Sequence, residues 1–252
     1  MTDTIIYSRE GHVGRLVLNS PERHNAIGQE QVLEIRRRLT SVSADEQVRV
    51  LVLTGAGDKT FCAGASLEQL SAGVFSSDDF QSMTSQLAGL AIPTVCALNG
   101  NVFGAGVELA LSCDFRIGIE GSRMRVPAAA IGICYPPSGI ERILEVLGVN
   151  TARRILLAAE EFDAQTMLAT GFLNHLVLPG RLDEESSQLA RRVAGLSPLA
   201  VRSMKEMMRQ SISGNIDPAQ AQRLLDLCSN SEDLQEGLAA QREKRAARFK
   251  GR

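Results

Sequence analysis

The stretch Ala97-Leu98-Asn99-Gly100-Asn101-Val102-Phe103-Gly104-Ala105-Gly106-Val107-Glu108-Leu109-Ala110-Leu111-Ser112-Cys113-Asp114 holds three glycines within seven residues, then turns to small and aliphatic residues. The apolar run Thr94 to Leu98 precedes it, so the order reads as strand, tight glycine turn and buried helix beginning near Ala105. Backbone N–H groups at such a helix start have no intrahelical acceptor and sit at the positive end of the helix dipole. Glycine lets another group approach that backbone closely. Glu108 is the one acid of the first helical turn, and an acid among apolar neighbours can serve as a tuned proton carrier. The alternative is plain packing, with Glu108 facing water.

The flanking segments are read from the same signals. Ile5-Ile6-Tyr7 and Val13 to Asn19, separated by Gly11, predict two strands of a hairpin. From Gln29 onward Val32, Ile35, Leu39 and Val42 recur at helical spacing. Val48 to Thr54 is a near-continuous apolar run, the pattern of a strand covered on both faces. It ends at Gly55-Ala56-Gly57-Asp58-Lys59-Thr60, followed by Phe61-Cys62-Ala63-Gly64-Ala65-Ser66. Ser71 to Asp79 reads as a mobile surface loop, with a helix after it that cannot continue past Pro93. Phe115 to Ile119 and Arg123 to Val126 predict further strands, so repeated strand–strand–helix units suit residues 1–150 better than strict alternation.

The second half changes character. Ile140, Ile143, Leu144 and Leu147 form one helical face stopped at Gly148, and Ala152, Ile155, Leu156 and Ala159 form another. After a last short strand, Leu173 to Leu178, only helices are expected. Ser197-Pro198 and Asp217-Pro218 are cap-plus-proline helix starts. Met204, Met207 and Met208 read as fillers between packed helices. Arg242 to Arg252, with six basic residues and one acid, reads as a solvated tail or as a holder of a phosphate-bearing ligand.

Composition narrows the function. The 252 residues, 44% hydrophobic and 22% charged with a formal net charge of −2, make no global case for nucleic acid or an anionic membrane surface. Met1-Thr2-Asp3-Thr4 leads into a strand-like run, so no signal peptide and a cytoplasmic location are expected. Cys62, Cys96, Cys113, Cys134 and Cys228 are scattered, and four of the five are expected as buried free thiols in a reducing compartment. With His12, His24 and His175 alone to help, no metal site is expected. Gly104-Ala105-Gly106 lacks the third glycine of a dinucleotide fingerprint, and Gly55 to Thr60 has the wrong spacing for a P-loop. No serine sits in a G-x-S-x-G elbow.

Taken together, the segments resemble the crotonase (enoyl-CoA hydratase/isomerase) family. The matching pieces are Ser20-Pro21-Glu22-Arg23-His24-Asn25-Ala26, Leu53 to Gly57 leading to Phe61-Cys62-Ala63-Gly64-Ala65, and Asn99-Gly100 through Glu108 to Cys113-Asp114. Gly171-Phe172-Leu173-Asn174-His175-Leu176-Val177 matches as well, as does the tail Ser231 to Gly237 with Glu243-Lys244-Arg245. They occur in family order over nearly the whole chain. The resemblance implies an α/β fold: a crotonase-like spiral core of repeated ββα turns over 1–195, and a C-terminal helical trimerisation region over 196–252. It implies an acyl-CoA thioester substrate, a homotrimer or dimer of trimers, and no cofactor beyond the coenzyme A carried by the substrate.

By motif position, the two backbone N–H groups that grip the thioester oxygen belong to Ala65 and Ala105, and Glu108 takes the place of a catalytic glutamate. Arg23, Ala26, Ala63, Gly64, Ala65, Ala105, Ala128 and Gly132 fall at substrate-binding positions. The departures are as informative. The second hydratase glutamate, which follows the proline of the next loop, is replaced by Ala128, and a methyl cannot transfer a proton. Ser66 replaces a common aspartate, and Glu68 replaces a frequent CoA-contacting lysine. Tyr135, 27 positions after Glu108, falls where methylmalonyl-CoA-type decarboxylases of the family place a tyrosine. Those carry a histidine at the position of Ala65. Tyr135 is read either as a pocket wall with a satisfied hydroxyl or as a proton donor; Glu141-Arg142 reads as a surface pair, and Asp114 as a structural turn residue. Hydration, double-bond migration and decarboxylation all stay open, as does a non-catalytic acyl-CoA or RNA binder.

Overall fold

The structure, a computed structural model, describes residues 3–252; Met1 and Thr2, on which part of the leader-free reading rests, lie outside them. The described chain opens with a hairpin in which β1 (Ile5–Glu10) pairs antiparallel with β2 (Val13–Leu18). Helix α1 (Gln29–Ala44) follows, and its buried residues are Val32, Ile35, Leu39 and Val42, the stripe that its spacing predicts.

Three strand–strand–helix units come next. β3 (Val50–Gly55) and β4 (Thr60–Cys62) lead to α2 (Leu67–Ser71) and α3 (Ser77–Ala88). β5 (Thr94–Leu98) and β6 (Asn101–Phe103) lead to α4 (Ala105–Leu111). β7 (Phe115–Ile119) and β8 (Arg123–Arg125) lead to α5 (Pro137–Leu156), which breaks at Gly148, φ 71° and ψ 168°. β9 (Phe162–Asp163), α6 (Ala164–Ala169) and β10 (His175–Val177) complete the sheets.

The first strand of each unit joins one sheet and the second joins the other. The six-stranded sheet runs β1-β2-β3-β5-β7-β10 and the four-stranded sheet β4-β6-β8-β9. β3, β5 and β7 are parallel to one another, as are β4, β6 and β8. Parallel neighbours need long crossovers, which the helices supply, so the chain winds as a spiral.

Burial follows from this winding. On one side of the six-stranded sheet Leu51, Leu53, Cys96 and Leu98 pack with Ile35, Leu39, Phe61 and Met83. On the other, Val50, Val52, Val95 and Ile117 meet Leu189 and Ala190 of α7 (Leu182–Ala194). β3 is thus covered twice, which is why its sequence does not alternate.

Helices α8 (Pro198–Ile212), α9 (Pro218–Ser229) and α10 (Glu232–Glu243) follow, and Ser197, Asp217 and Ser231 cap their starts with side-chain oxygens. Lys205 ties α8 to the core, donating to Asp114 Oδ2 at 2.6 Å and to the carbonyl of Ile92 at 2.9 Å. Asp114 also accepts from the N–H and hydroxyl of Thr94, the structural turn role read from sequence.

Several expectations are corrected here. The tail stays largely exposed, as a solvated tail would, but its end is not free: Lys250 and Gly251 donate backbone N–H groups to the buried Asp233 carboxylate, and Arg49 donates to the carbonyl of Phe249. Arg245 pairs with Glu236 at 2.6 Å, which removes one cation from any phosphate-holding role. Asp233 also accepts from Ser197 Oγ at 2.9 Å. Asp233→Ala strands these donors and is expected to lower stability by about 3 kcal/mol; urea unfolding checks this, and an unchanged midpoint would show that the tail adds nothing.

The 71–79 segment is anchored rather than free, since Phe75 stacks obliquely on Phe80 and Ser76 N–H donates to Gln29 Oε1. Arg36 adds an ion pair to Asp79 at 2.8 Å. Met204 and Met208 are exposed in the single chain instead of filling a helix pair, because the helix face they occupy points away from the core. Three thiols are buried rather than four: Cys134 lies on an exposed turn and Cys228 is half-buried.

Candidate active site

β4 and β6 are adjacent parallel strands, so the turns at their C-terminal ends lie side by side. The first turn is Ala63-Gly64-Ala65 and the second is Gly104, followed at once by α4. Gly64 has φ 96° and Gly104 has φ 50°, both in the region that favours glycine. A Cβ on Gly64 would come within 2.9 Å of the Phe103 carbonyl oxygen and 3.3 Å of the Ala105 nitrogen. The two turns are therefore in backbone contact. Gly106 continues this closeness, since a Cβ there would meet the Cys62 carbonyl oxygen at 2.8 Å.

A third segment straps the first turn. Ile27 and Ala65 form a parallel bridge in which Ile27 N–H donates to the Gly64 carbonyl and Ser66 N–H donates to the Ile27 carbonyl. In that pattern the N–H of Ala65 points away from the strap. Ala63 N–H donates to the His24 carbonyl at 3.0 Å, which brings the 23–27 loop, with Arg23 and Ala26, against the turn. The Ala105 N–H is the first of α4 and has no intrahelical acceptor. Among the described residues neither Ala65 N–H nor Ala105 N–H has a hydrogen-bond acceptor within the chain.

Glu108 lies three residues into α4 and is 1% exposed. Its Oε1 accepts from the Thr84 hydroxyl at 3.2 Å and its Oε2 from Gln81 Nε2 at 3.4 Å. Gln81 Oε1 accepts in turn from the Ser138 hydroxyl. A Cβ on Gly139 would overlap the Tyr135 ring and come within 2.8 Å of Glu108 Oε2, so only glycine lets α5 approach the carboxylate this closely. Burial raises the Glu108 pKa above the ordinary carboxylate range, opposed by the hydrogen bonds from Gln81 and Thr84, by the neighbouring Tyr135 hydroxyl and by the charge of Arg142.

Tyr135 corrects an expectation. Its hydroxyl is buried beside the Glu108 carboxylate yet forms no hydrogen bond of good geometry with any described atom, so it is not a satisfied wall residue. Burial, then the neighbouring negative charge, pushes its pKa well above the usual phenol value. Tyr135 and Ala128 also border an open apolar cavity of ≈ 370 Å³ formed with Ile140, Leu144 and Leu156. Ala128 contributes only its methyl there. Gly132 stays on an exposed turn at φ 77°, closing a short helix over 129–131. Arg142 forms no ion pair with Glu141 among the described residues; it is half-buried, with an unpaired buried Nε, and its charge is felt at Glu108 and Tyr135.

The structure thus brings Ala63, Gly64, Ala65 and Ala105 together at two unpaired N–H groups, and sets Tyr135 beside the carboxylate of Glu108, three residues along α4 from Ala105. Gln81, Thr84, Ser138 and Gly139 were not found by sequence reasoning. The signal that could have exposed the first two is positional. Gln81 and Thr84 are polar residues one turn apart among Phe80, Met83 and Leu87, the buried apolar residues of α3.

The family model for enoyl-CoA hydratase/isomerase matches residues 8–252, and the chain belongs to that family of enzymes. A crotonyl-CoA hydratase of Syntrophomonas wolfei is 32% identical over 98% of this chain and 98% of its own. The 2,3-dehydroadipyl-CoA hydratase of Escherichia coli is also 32% identical, covering 98% of this chain and 99% of its own. The crystal structure of an enoyl-CoA hydratase from Bacillus anthracis superposes with a TM-score of 0.87 at 28% identity, covering 99% of this chain and all of that one. The spiral core and C-terminal helices expected from the sequence are those of the family's solved structures.

Proposed function

We propose that the chain transforms acyl-CoA thioesters by stabilising an enolate on the N–H groups of Ala65 and Ala105, with Glu108 as general acid and base. The observation that carries this reading is the unpaired N–H groups of Ala65 and Ala105 on two touching turns, the second of them three residues before the buried carboxylate of Glu108. When a nucleophile adds to an enoyl thioester, or a proton leaves the α-carbon, negative charge moves onto the thioester oxygen. Fixed donors stabilise that charge most where it develops, and one such donor is worth about 3–4 kcal/mol in comparable sites.

For hydration, Glu108 would take a proton from water as its oxygen adds to the β-carbon, then return one to the α-carbon. A single carboxylate can do both in sequence. Ala128 leaves no second acid to share the work, so slow hydration fits this site better than fast. In this reading Arg23, Ala26, Ala63 and Gly132 line the path of the CoA moiety; coenzyme A enters as part of the substrate and no other cofactor takes part. Glu68, 3.9 Å from Arg23, would weaken rather than aid a phosphate contact.

The buried Tyr135 hydroxyl supports a second reading, decarboxylation of a methylmalonyl-type thioester. There the C–C bonding pair becomes the enolate held by the two N–H groups, carbon dioxide leaves, and an acid returns a proton to the α-carbon. Tyr135, its pKa raised by burial, suits the donor's part better than a base's.

The exposed stripe Met204, Met208 and Ile212 on α8, with Leu225 and Leu227 on α9, supports assembly into a trimer or a pair of trimers through the helical region 196–252. No helix among the described residues is long and apolar enough to cross a membrane, which suits the cytoplasmic location proposed.

The test is a panel of 2-enoyl-CoA, 3-enoyl-CoA and methylmalonyl-CoA substrates followed by mass spectrometry. Turnover of enoyl thioesters is expected. Loss of carbon dioxide from methylmalonyl-CoA, abolished in Tyr135→Phe, would promote the second reading. Binding of CoA thioesters with no turnover of any would overturn both.

A further inference from the structure

The carboxylate of Glu108 is held by two donors of different character. The Thr84 hydroxyl lies 3.2 Å from Glu108 Oε1 and 3.1 Å from the backbone carbonyl of Gln81. One hydroxyl proton cannot serve both acceptors fully, so Thr84 can turn away from the carboxylate at little cost. Gln81 has no such choice. Its Oε1 is taken by the Ser138 hydroxyl, and its Nε2 faces Glu108 Oε2. Reversing the amide would set its oxygen against an ionised carboxylate, two acceptors face to face, and would leave Ser138 without its acceptor.

We propose that Gln81 is the positioning residue of this site, its amide aimed by Ser138 so that Nε2 fixes the rotation of the Glu108 carboxylate and favours its ionised form. The inference rests on the reading of Glu108 as the acid and base. Ser138 and Gly139 are consecutive on α5. The first reaches Gln81, and the second, lacking a Cβ, leaves room for Oε2 and the Tyr135 ring. The start of α5 therefore sets the carboxylate from both sides, by a hydrogen bond relayed through α3 and by direct contact.

The other groups that face Glu108 do not replace Gln81. Tyr135 and Arg142, both from the α5 side, are the titratable and charged neighbours; α3 offers only the neutral Gln81 and Thr84. The Tyr135 hydroxyl lacks hydrogen-bond geometry, and Arg142 acts through its charge. A constant, directional donor is what a buried carboxylate needs to stay in one rotamer through proton transfer.

The test follows Glu108 directly. Protein labelled with 13C at the glutamate side-chain carboxyl is titrated by NMR, and the Glu108 signal is assigned by its loss in Glu108→Gln. Gln81→Met keeps the length of the side chain and removes the donor, and is expected to shift the Glu108 midpoint upward by roughly tenfold in acid constant. Ser138→Ala should shift it the same way by less, and Ser138→Thr, which keeps the hydroxyl, should restore it. The acidic limb of kcat should follow the same order while KM changes little. An unmoved midpoint in Gln81→Met overturns the proposal, as does a kcat limb that ignores a midpoint that has moved. Glu108→Gln turning over substrate at the wild-type rate would sink the acid–base reading instead, leaving the titration to judge Gln81 by itself.

Discussion

Glu108→Gln is expected to lose turnover of acyl-CoA substrates by about a thousandfold, within the range that general acid–base groups contribute, while melting no lower than the wild type at pH 8. The loss follows because an amide cannot take a proton and return it. The retained stability follows from how the site is wired. A glutamine can set its oxygen toward Gln81 Nε2 and its N–H toward the Thr84 oxygen. The Thr84 proton then turns to the Gln81 carbonyl, already 3.1 Å away.

The pH dependence has a definite sign. Burial raises the folded-state pKa of Glu108 above the unfolded value, so the folded state holds the proton more tightly. Stability is then full below the unfolded pKa, falls as pH rises from there through the folded pKa, and levels off above it. Glu108→Gln carries no such cost. Its advantage over the wild type should grow over that window and vanish in acid. Initial rates with the best thioester of the panel and thermal melts at pH 5 and pH 8 check both halves. A variant as fast as the wild type would remove Glu108 from the mechanism. A variant less stable at pH 8 than at pH 5, relative to the wild type, would contradict the sign.

Much of this site was legible because it is local. The glycine-to-helix stretch places an N–H group and an acid three residues apart whatever the rest of the chain does. The strand β3 and the stripe of α1 were legible for a similar reason, since burial on two faces or on one leaves a periodic mark. The partners of Glu108 carry no such mark. Gln81 and Thr84 sit on a helix whose spacing reads as ordinary packing, and their target lies on another helix 24 to 27 residues away. Tyr135 was placed by motif position, but that its buried hydroxyl lacks a hydrogen-bond partner depends on packing that the sequence does not display. The tail reads as free charge because the acids that bind it, Asp233 and Glu236, belong to a helix that hides them from composition. Met204 and Met208 show the complementary limit: apolar residues at helical spacing read as a packed face, and in the single chain they lie exposed.

Gly64→Ala is expected to reduce kcat by about a hundredfold with a smaller change in KM. Gly64 holds φ at 96°, a conformation that strains any residue with a Cβ. The added methyl would stand 2.9 Å from the Phe103 carbonyl oxygen and 3.3 Å from the Ala105 nitrogen. Backbone cannot swing aside as a side chain can, so the two turns must separate or twist. Either movement redirects the Ala65 N–H, the Ala105 N–H or both, and the loss of one aimed donor in a comparable site costs about 10² to 10³ in kcat. Substrate binding suffers less, because charge on the thioester oxygen is greatest in the transition state and small before it. Strain of this kind also lowers stability by about 1–2 kcal/mol, so the variant is assayed well below its melting temperature. The comparison with Glu108→Gln is what makes the test sharp. If both N–H groups and the carboxylate act on one enolate, the two substitutions combined should lose less than the product of their separate losses. Full multiplicativity, or wild-type kcat in Gly64→Ala, would mean that the turns at Gly64 and Gly104 are packing features and that charge on the substrate is stabilised elsewhere.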